Sequence, residues 1–443
     1  MFAVAFALCA LLTKTHVTSW NDGSRIAMVD ALTANHALAI DGSPFAAHLG
    51  DKILFHGKHY SDKPPLLALL ATGVALAVAP LGITLRQTPG AAIYLITLFT
   101  VGVWFGIGCC YAYAFTRLLG FGARVAAAVA ALTGAATLAL PYAIVLTNHV
   151  PCGAAGLAGC YHLVRARDGA PVHHALAGMF FALAYAFDPA GLLLAIAGAV
   201  LLWGAPARRW VICIAAGAPV VALQLAYNVL VSGSILPTAF TGSVWTEFPH
   251  PAGTTPQPFE THSAGDYVRF VFDLLVGAKG LISFTPLVLV AAYGLAIMGR
   301  AGGVMRRIAV AVAATCAVFF ATIVTLQNDA AAANFGERRY VDLFFLLCIG
   351  IAPALASVRS RIAAVAVRAC IALSVAIAAL GTVAPFGGAP GESGFSFAGA
   401  AFAALLHRAP VQAAVDVLML LVIVALVLRL VPFPALRPVA GAR

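Results

Sequence analysis

Charge is so sparse in this chain that most of it has nothing to offer water. Only 9% of the 443 residues are Asp, Glu, Lys or Arg, and 62% are hydrophobic, giving a mean hydropathy of +0.97. A soluble domain carries about 25% charged residues. Apolar runs of about 20 residues match the hydrocarbon thickness of a bilayer, where every backbone polar group must be satisfied within the segment. The sequence therefore predicts an all-α polytopic membrane protein, a single membrane domain over 1–443 with about twelve transmembrane helices. A soluble enzyme, a nucleic-acid-binding module and a disordered scaffold are excluded.

The first apolar run, Met1 to Leu12, ends before Lys14 and lacks a basic n-region and an A-x-A site, so it reads as a span and not as a cleaved leader. Later runs cover roughly 91–116, 124–146, 150–164, 174–187, 189–203, 210–231, 280–299, 308–327, 340–357, 362–383 and 412–430. Polar stretches at 232–278, 328–339 and 384–411 interrupt them, and no soluble C-terminal domain is expected. Segment 66–83 is apolar and long enough to span. If it does not cross, the loops on the N-terminal side hold fifteen arginines and one acid, Asp168. If it crosses, those Arg-rich loops face outward, against the positive-inside rule. The net charge of +10 is thus topological. Residues 18–90 become a first outer loop with interfacial helices, 232–278 and 384–411 become further outer loops, and both termini are cytoplasmic. The nine cysteines show no C-x-x-C and read as small hydrophobes.

All five lysines fall on the outer side, so chemistry is expected there. Asp22 precedes a helical stripe, Ile26, Val29, Leu32 and His36, suited to a membrane surface. It is either that helix's N-cap or, with Ser24 capping, a free carboxylate. Downstream, Lys63 stands ahead of Pro64-Pro65 at the start of the next helix. An ammonium at a helix N-terminus suits phosphate; a snorkelling lysine paired with Asp62 is the alternative. His56-x-x-His59 is too weak a pair to imply a metal. Asn148 and His149 are span-end caps or sugar contacts, with a base as a further reading of His149. Asp188 is a turn residue before Pro189 or a functional acid at membrane depth. Asp342 and Asp416 read as helix N-terminal caps.

Asp22 after the first span, then Gly57-Lys58-His59-Tyr60-Ser61-Asp62-Lys63-Pro64-Pro65, resembles the first outer loop of GT-C-type glycosyltransferases such as the protein O-mannosyltransferases and the lipid A aminoarabinose transferases. The tracts Asn334-Phe335-Gly336-Glu337-Arg338-Arg339-Tyr340 and Lys279-Gly280-Leu281-Ile282-Ser283-Phe284-Thr285-Pro286 resemble later motifs of that family. The resemblance runs over about 1–360. It implies that Asp22 is the general base, that Lys63 binds the phosphate of a polyprenyl-phosphate sugar, and that Arg338 or Arg339 neutralises the same leaving group. Arg25, Tyr60, Asp62, Asn148, His149, Asp188 and Glu337 are further candidates for substrate contact. It also implies a glycan, lipid or protein acceptor, inversion at the sugar, no cofactor or divalent metal, and an outward-facing site in a bacterial inner membrane. The chain departs from the pattern where Gly23 replaces a second acid and where Asn148-His149 replaces an acid at the end of the third span. A secondary transporter, an O-antigen-type polymerase or ligase, and an inactive GT-C relative are the competing classes.

Overall fold

The structure is a computed structural model that describes residues 1–47, 49–166, 170–238, 263–277, 279–326 and 334–386, with scattered helical positions between 417 and 429. The inner-loop residues Arg167 and Asp168, Asp416, most of the outer loops 232–278 and 384–411, and most of the expected span 412–430 lie outside the described residues.

The chain runs α1 (Phe2–Leu12), α2 (Trp20–Ala34), β1 (Lys52–Phe55), β2 (Lys58–Ser61), α3 (Pro65–Val78), α4 (Pro89–Thr97), α5 (Val103–Leu118), α6 (Ala123–Ala135), α7 (Ala139–Ala143), α8 (His149–Arg165) and α9 (Pro171–Phe187). It continues through α10 (Gly191–Leu202), α11 (Ala207–Ser232), α12 (Ala264–Leu275), α13 (Leu281–Phe284), α14 (Leu287–Ala301), α15 (Gly303–Leu326), α16 (Val341–Leu347), α17 (Ile351–Ser357) and α18 (Arg361–Gly381). Among the described residues, five helices are long and apolar enough to cross a membrane: Pro89–Leu118, Ala207–Ser232, Gly303–Thr325, Arg338–Ser357 and Arg361–Gly381. Six shorter apolar helices accompany them, including Pro65–Leu81, the segment that the arginine distribution reads as not crossing.

Several expected runs are broken. The 91–116 run holds a π-helical turn over Leu98–Gly102, between α4 and α5. The 124–146 run divides into α6 and α7, and the Thr137 hydroxyl accepts the Ala139 N–H at 3.1 Å where the helix restarts. Such breaks keep backbone groups satisfied at membrane depth only because protein surrounds them. Tyr142 on α7 is fully buried and donates from its hydroxyl to the Phe335 carbonyl at 3.1 Å, tying α7 to a distant loop.

At the centre stands α8, buried nearly all round and rich in Gly and Ala. Small residues let helices approach closely in a membrane protein. A Cβ at Gly153 would lie 2.9 Å from the Val341 carbonyl and 3.0 Å from that of Asp342, so Gly153 is what admits α16 beside the start of α8.

Two features of the first loop differ from the sequence reading. The helix after α1 begins at Trp20, and Ser19 is its N-cap, so Asp22 lies inside the first turn and not ahead of it. Residues 21–31 of α2 are all buried, so the helix is enclosed by protein and does not lie with one face on a membrane surface. The loop also contains a two-stranded antiparallel hairpin, pairing Lys52 with Ser61 and Phe55 with Lys58. Its two turn residues, His56 and Gly57, have φ of 48° and 74°, the left-handed pair that a tight hairpin turn needs.

Candidate active site

The hairpin is what assembles the first part of the site. Because Lys52 pairs with Ser61, Asp51 is carried beside Asp62 and Lys63. The Lys63 ammonium sits 2.7 Å from Asp51 Oδ2 and 2.8 Å from Asp62 Oδ2. The Ser24 hydroxyl of α2 meets that of Ser61 at 2.7 Å, locking the hairpin end to α2. Burial pushes the Asp51 carboxyl up, but the adjacent Lys63 ammonium outweighs that and holds it below its usual range. Burial raises Asp62; Lys63 opposes the rise and the Asp51 charge adds to it. Asp51 is therefore the ionised partner of Lys63, and Asp62 is the carboxyl that more readily carries a proton.

Arg25 on α2 is 1% exposed. Its Nη1 donates to Asn21 O at 2.7 Å and Nη2 to Asn148 Oδ1 at 2.5 Å, while its buried Nε has no partner among the described residues. Burial works against its charge; Asp62, Asp188 and Asp51 favour the charge and Arg338 opposes it. Asn148 passes the contact on, its amide nitrogen donating to Asp188 Oδ2. Asp188 Oδ1 also accepts the Ala190 N–H at 2.8 Å, as a residue in a turn before proline does. Next to it, His149 Nδ1 lies 3.2 Å from Asp342 Oδ1 and 3.7 Å from Asp188 Oδ2.

The third part is the turn at 334–340. Asn334 bridges to Phe386, and Gly336 has φ 68°, with Leu138 and Phe284 close enough to exclude a side chain. Glu337 caps the following turn by accepting the Arg339 N–H at 3.1 Å. It also grips the Arg339 guanidinium with both oxygens, at 2.6 and 2.7 Å. Burial raises the Glu337 carboxyl, but Arg339 outweighs it and holds it below the usual range. Arg338 behaves otherwise. Its Nη1 reaches Asn334 Oδ1 at 3.3 Å, its buried Nε is unpartnered, and no carboxylate lies within ion-pair distance among the described residues.

The structure thus brings together Arg25, Asp62, Lys63, Asn148, His149, Asp188 and Arg338 of the expected residues. It engages Glu337 and Arg339 with each other. Tyr60 pairs with Ile53 on the hairpin and packs on the apolar core. Asp22 is occupied elsewhere. Its Oδ2 accepts from Thr18 N and Oγ1 at 2.8 and 2.9 Å. Its Oδ1 accepts from Ser19 N and Oγ at 2.7 and 2.8 Å and from Gly23 N at 3.1 Å. It is the acidic half of a capping box. Burial raises its carboxyl, and the Thr18 and Ser19 donors work against that.

Two site residues were not foreseen. Asp51 was legible through the hairpin: a His-Gly turn between two short alternating strands sets the register. Asp342, expected to be a helix cap, instead faces His149, and nothing local signals that. His149, Asp188 and Asp342 also offer ligand atoms within 4.8 Å of one another, a metal-like grouping that the sequence reading did not contain. Their lone pairs are largely taken by Asn148, Ala190 and the His149–Asp342 contact, leaving Asp342 Oδ2 unpartnered. The charges of Arg25, Arg338 and Lys63 also act on Asp188. The buried, unpartnered Asp342 Oδ2 leaves a donor free at this place, so an imidazole and two carboxylates here are compatible with a metal ion.

No family model and no curated protein matches the chain by sequence. Solved structures do match its fold. ArnT from Cupriavidus metallidurans bound to undecaprenyl phosphate aligns over 96% of this chain and 75% of its own, with a TM-score of 0.55 and 15% identity. The apo form of that protein gives 0.56 and 18%, over 96% of this chain and 71% of its own. The Archaeoglobus fulgidus oligosaccharyltransferase in complex with Zn and sulfate gives 0.52 and 14%, over 98% of this chain but 57% of its own. The chain is thus a polytopic membrane protein with the fold of the GT-C-type glycosyltransferases.

Proposed function

We propose that this protein is an integral-membrane glycosyltransferase that moves a sugar from a polyprenyl-phosphate donor to a glycan, lipid or protein acceptor at the outer face of an inner membrane. The observation that carries the reading is the convergence of Lys63, Arg25 and Arg338 from three separate parts of the chain, with Arg338 lacking any carboxylate partner among the described residues. A half-buried cation without a counter-ion keeps part of its desolvation cost until an anion joins it. A lipid-linked phosphate supplies that charge, and the neighbours with this fold include one bound to undecaprenyl phosphate.

In the reaction, the acceptor hydroxyl oxygen bonds to the anomeric carbon as the bond from that carbon to the phosphate oxygen breaks. The hydroxyl proton goes to a carboxylate, and the phosphate leaves as an anion without being protonated. Arg338 and Lys63 stabilise the charge that develops on it. Attack opposite the leaving group inverts the anomeric configuration. Asp188 is the carboxylate best suited to the proton: its side chain is 14% exposed and no Lys or Arg pairs with it among the described residues. For Asp22 to serve, it would have to give up the five donors that fill both oxygens. No step is routed through a metal.

The test is Arg338→Gln. Loss of a charge-assisted phosphate contact costs about 1.5–3 kcal/mol. Turnover of a lipid-linked sugar by membranes containing the variant should fall at least about tenfold, with expression and thermal stability kept. Unchanged turnover would remove Arg338 from the site.

A further inference from the structure

At the end of α8 opposite His149, five helix termini meet around a cavity of about 200 Å³. With α8 rising 1.5 Å per residue over its 17 residues, the two ends stand roughly 25 Å apart. The cavity is walled by Leu163 and Val164 of α8 and by Leu201 and Leu202 of α10, and Arg209 of α11, Arg307 of α15 and His174 of α9 also line it. The guanidinium groups of Arg209 and Arg307 have no hydrogen-bond or ion-pair partner among the described residues. Each arginine lies in the first turns of its helix, as does His174; three helix N-termini and the C-termini of α8 and α10 border the cavity, so its positive charge comes from the two guanidinium groups.

We propose that this cavity binds the phosphate headgroup of an anionic phospholipid, drawn from the leaflet opposite the Lys63–Arg338 site. Two arginines on separate helices match a phosphate better than a point charge would. Basic pockets between membrane helices on the Arg-rich side take anionic headgroups. The rim carries the lipid signature that a soluble phosphate would not need. Trp203 is 77% exposed beside the cavity, the aromatic placement typical of a membrane interface. Val310 of α15 is exposed one turn from Arg307, on the same helix face, and provides apolar surface for an acyl chain. This inference does not rest on the transferase reading, because the cavity shares no residue with that site.

The experiment titrates the delipidated full chain in detergent with phosphatidylglycerol and reads bound lipid by native mass spectrometry. Phosphatidylcholine is the zwitterionic control, and inorganic phosphate is the competitor. Arg209→Ala combined with Arg307→Ala should weaken phosphatidylglycerol binding at least about tenfold. The matched control, Arg359→Ala with Arg361→Ala, should leave it unchanged. Arg209→Lys with Arg307→Lys keeps the charge and should retain part of the binding, which guards against a folding artefact. Equal phosphatidylglycerol binding by the Ala pair and the wild type would overturn the proposal. So would equal binding of phosphatidylcholine, or displacement of the lipid by millimolar inorganic phosphate.

Discussion

Asp22→Asn separates two roles that the sequence left open. The carboxylate accepts five hydrogen bonds on two oxygens, three of them from backbone N–H groups of Thr18, Ser19 and Gly23. An amide has one oxygen. Placed toward Ser19 and Gly23, it preserves their contacts but turns its NH₂ on Thr18. The Thr18 hydroxyl can rotate and accept, whereas the Thr18 N–H loses its acceptor. One stranded donor in a site where Asp22 is 3% exposed costs about 1–3 kcal/mol. The variant should therefore unfold at a temperature lower by a few degrees yet keep turnover within about tenfold where it is folded, because the proton is expected to go elsewhere. Asp188→Asn, at a carboxylate whose two oxygens accept from Asn148 and Ala190, should lose a comparable amount of stability but, unlike Asp22→Asn, lose turnover by about 10²–10⁴-fold. Thermal unfolding in detergent and transfer from a lipid-linked sugar, measured on the same preparations, give both readings. If Asp22→Asn melts like the wild type but is inactive, and Asp188→Asn is active, the capping arrangement is not the working one and the base is Asp22.

Donor binding should weaken as pH rises. Burial and the Asp51 charge raise the Asp62 carboxyl, so below that raised value Asp62 is neutral and Lys63 is freer to meet a phosphate; above it a second carboxylate competes, and the apparent donor Kd measured from pH 4 to 8 should increase. A Kd that is flat or falls with pH refutes this. Glu337→Gln leaves the Arg339 fork with one acceptor in place of two and should destabilise by about 1–3 kcal/mol, seen as a lower melting temperature; no change would mean the pair is dispensable. In a cysteine-free background, Lys58→Cys should label from outside intact cells and Ala301→Cys should not; the opposite pattern reverses the topology.

The sequence carried the membrane class and most helix positions, because apolar runs and arginine asymmetry are direct consequences of the bilayer. It carried the convergence of Lys63 and Arg338 only through resemblance, since 275 residues separate them and no local pattern encodes their meeting. The placement of Asp22 relative to its helix is instructive. Ser19 and Asp22 form a capping box three residues apart, and that spacing was readable, but Trp20 in the first turn hid the true start of α2. Asp342 was missed for a different reason: it reaches His149 only because Gly153 lets two helices touch, a fact of packing across 193 residues.

The turn from Glu337 to Tyr340 divides two adjacent arginines between different tasks. Arg339 is spent on Glu337, so the backbone beneath Arg338 is already immobilised before any ligand arrives. The conformational entropy of fixing that turn is then lost during folding and not during substrate capture. Calorimetry on donor binding should accordingly find an enthalpy-rich association with little ordering penalty, and loosening the turn through Glu337 should shift the signature toward unfavourable entropy without altering which cation meets the phosphate.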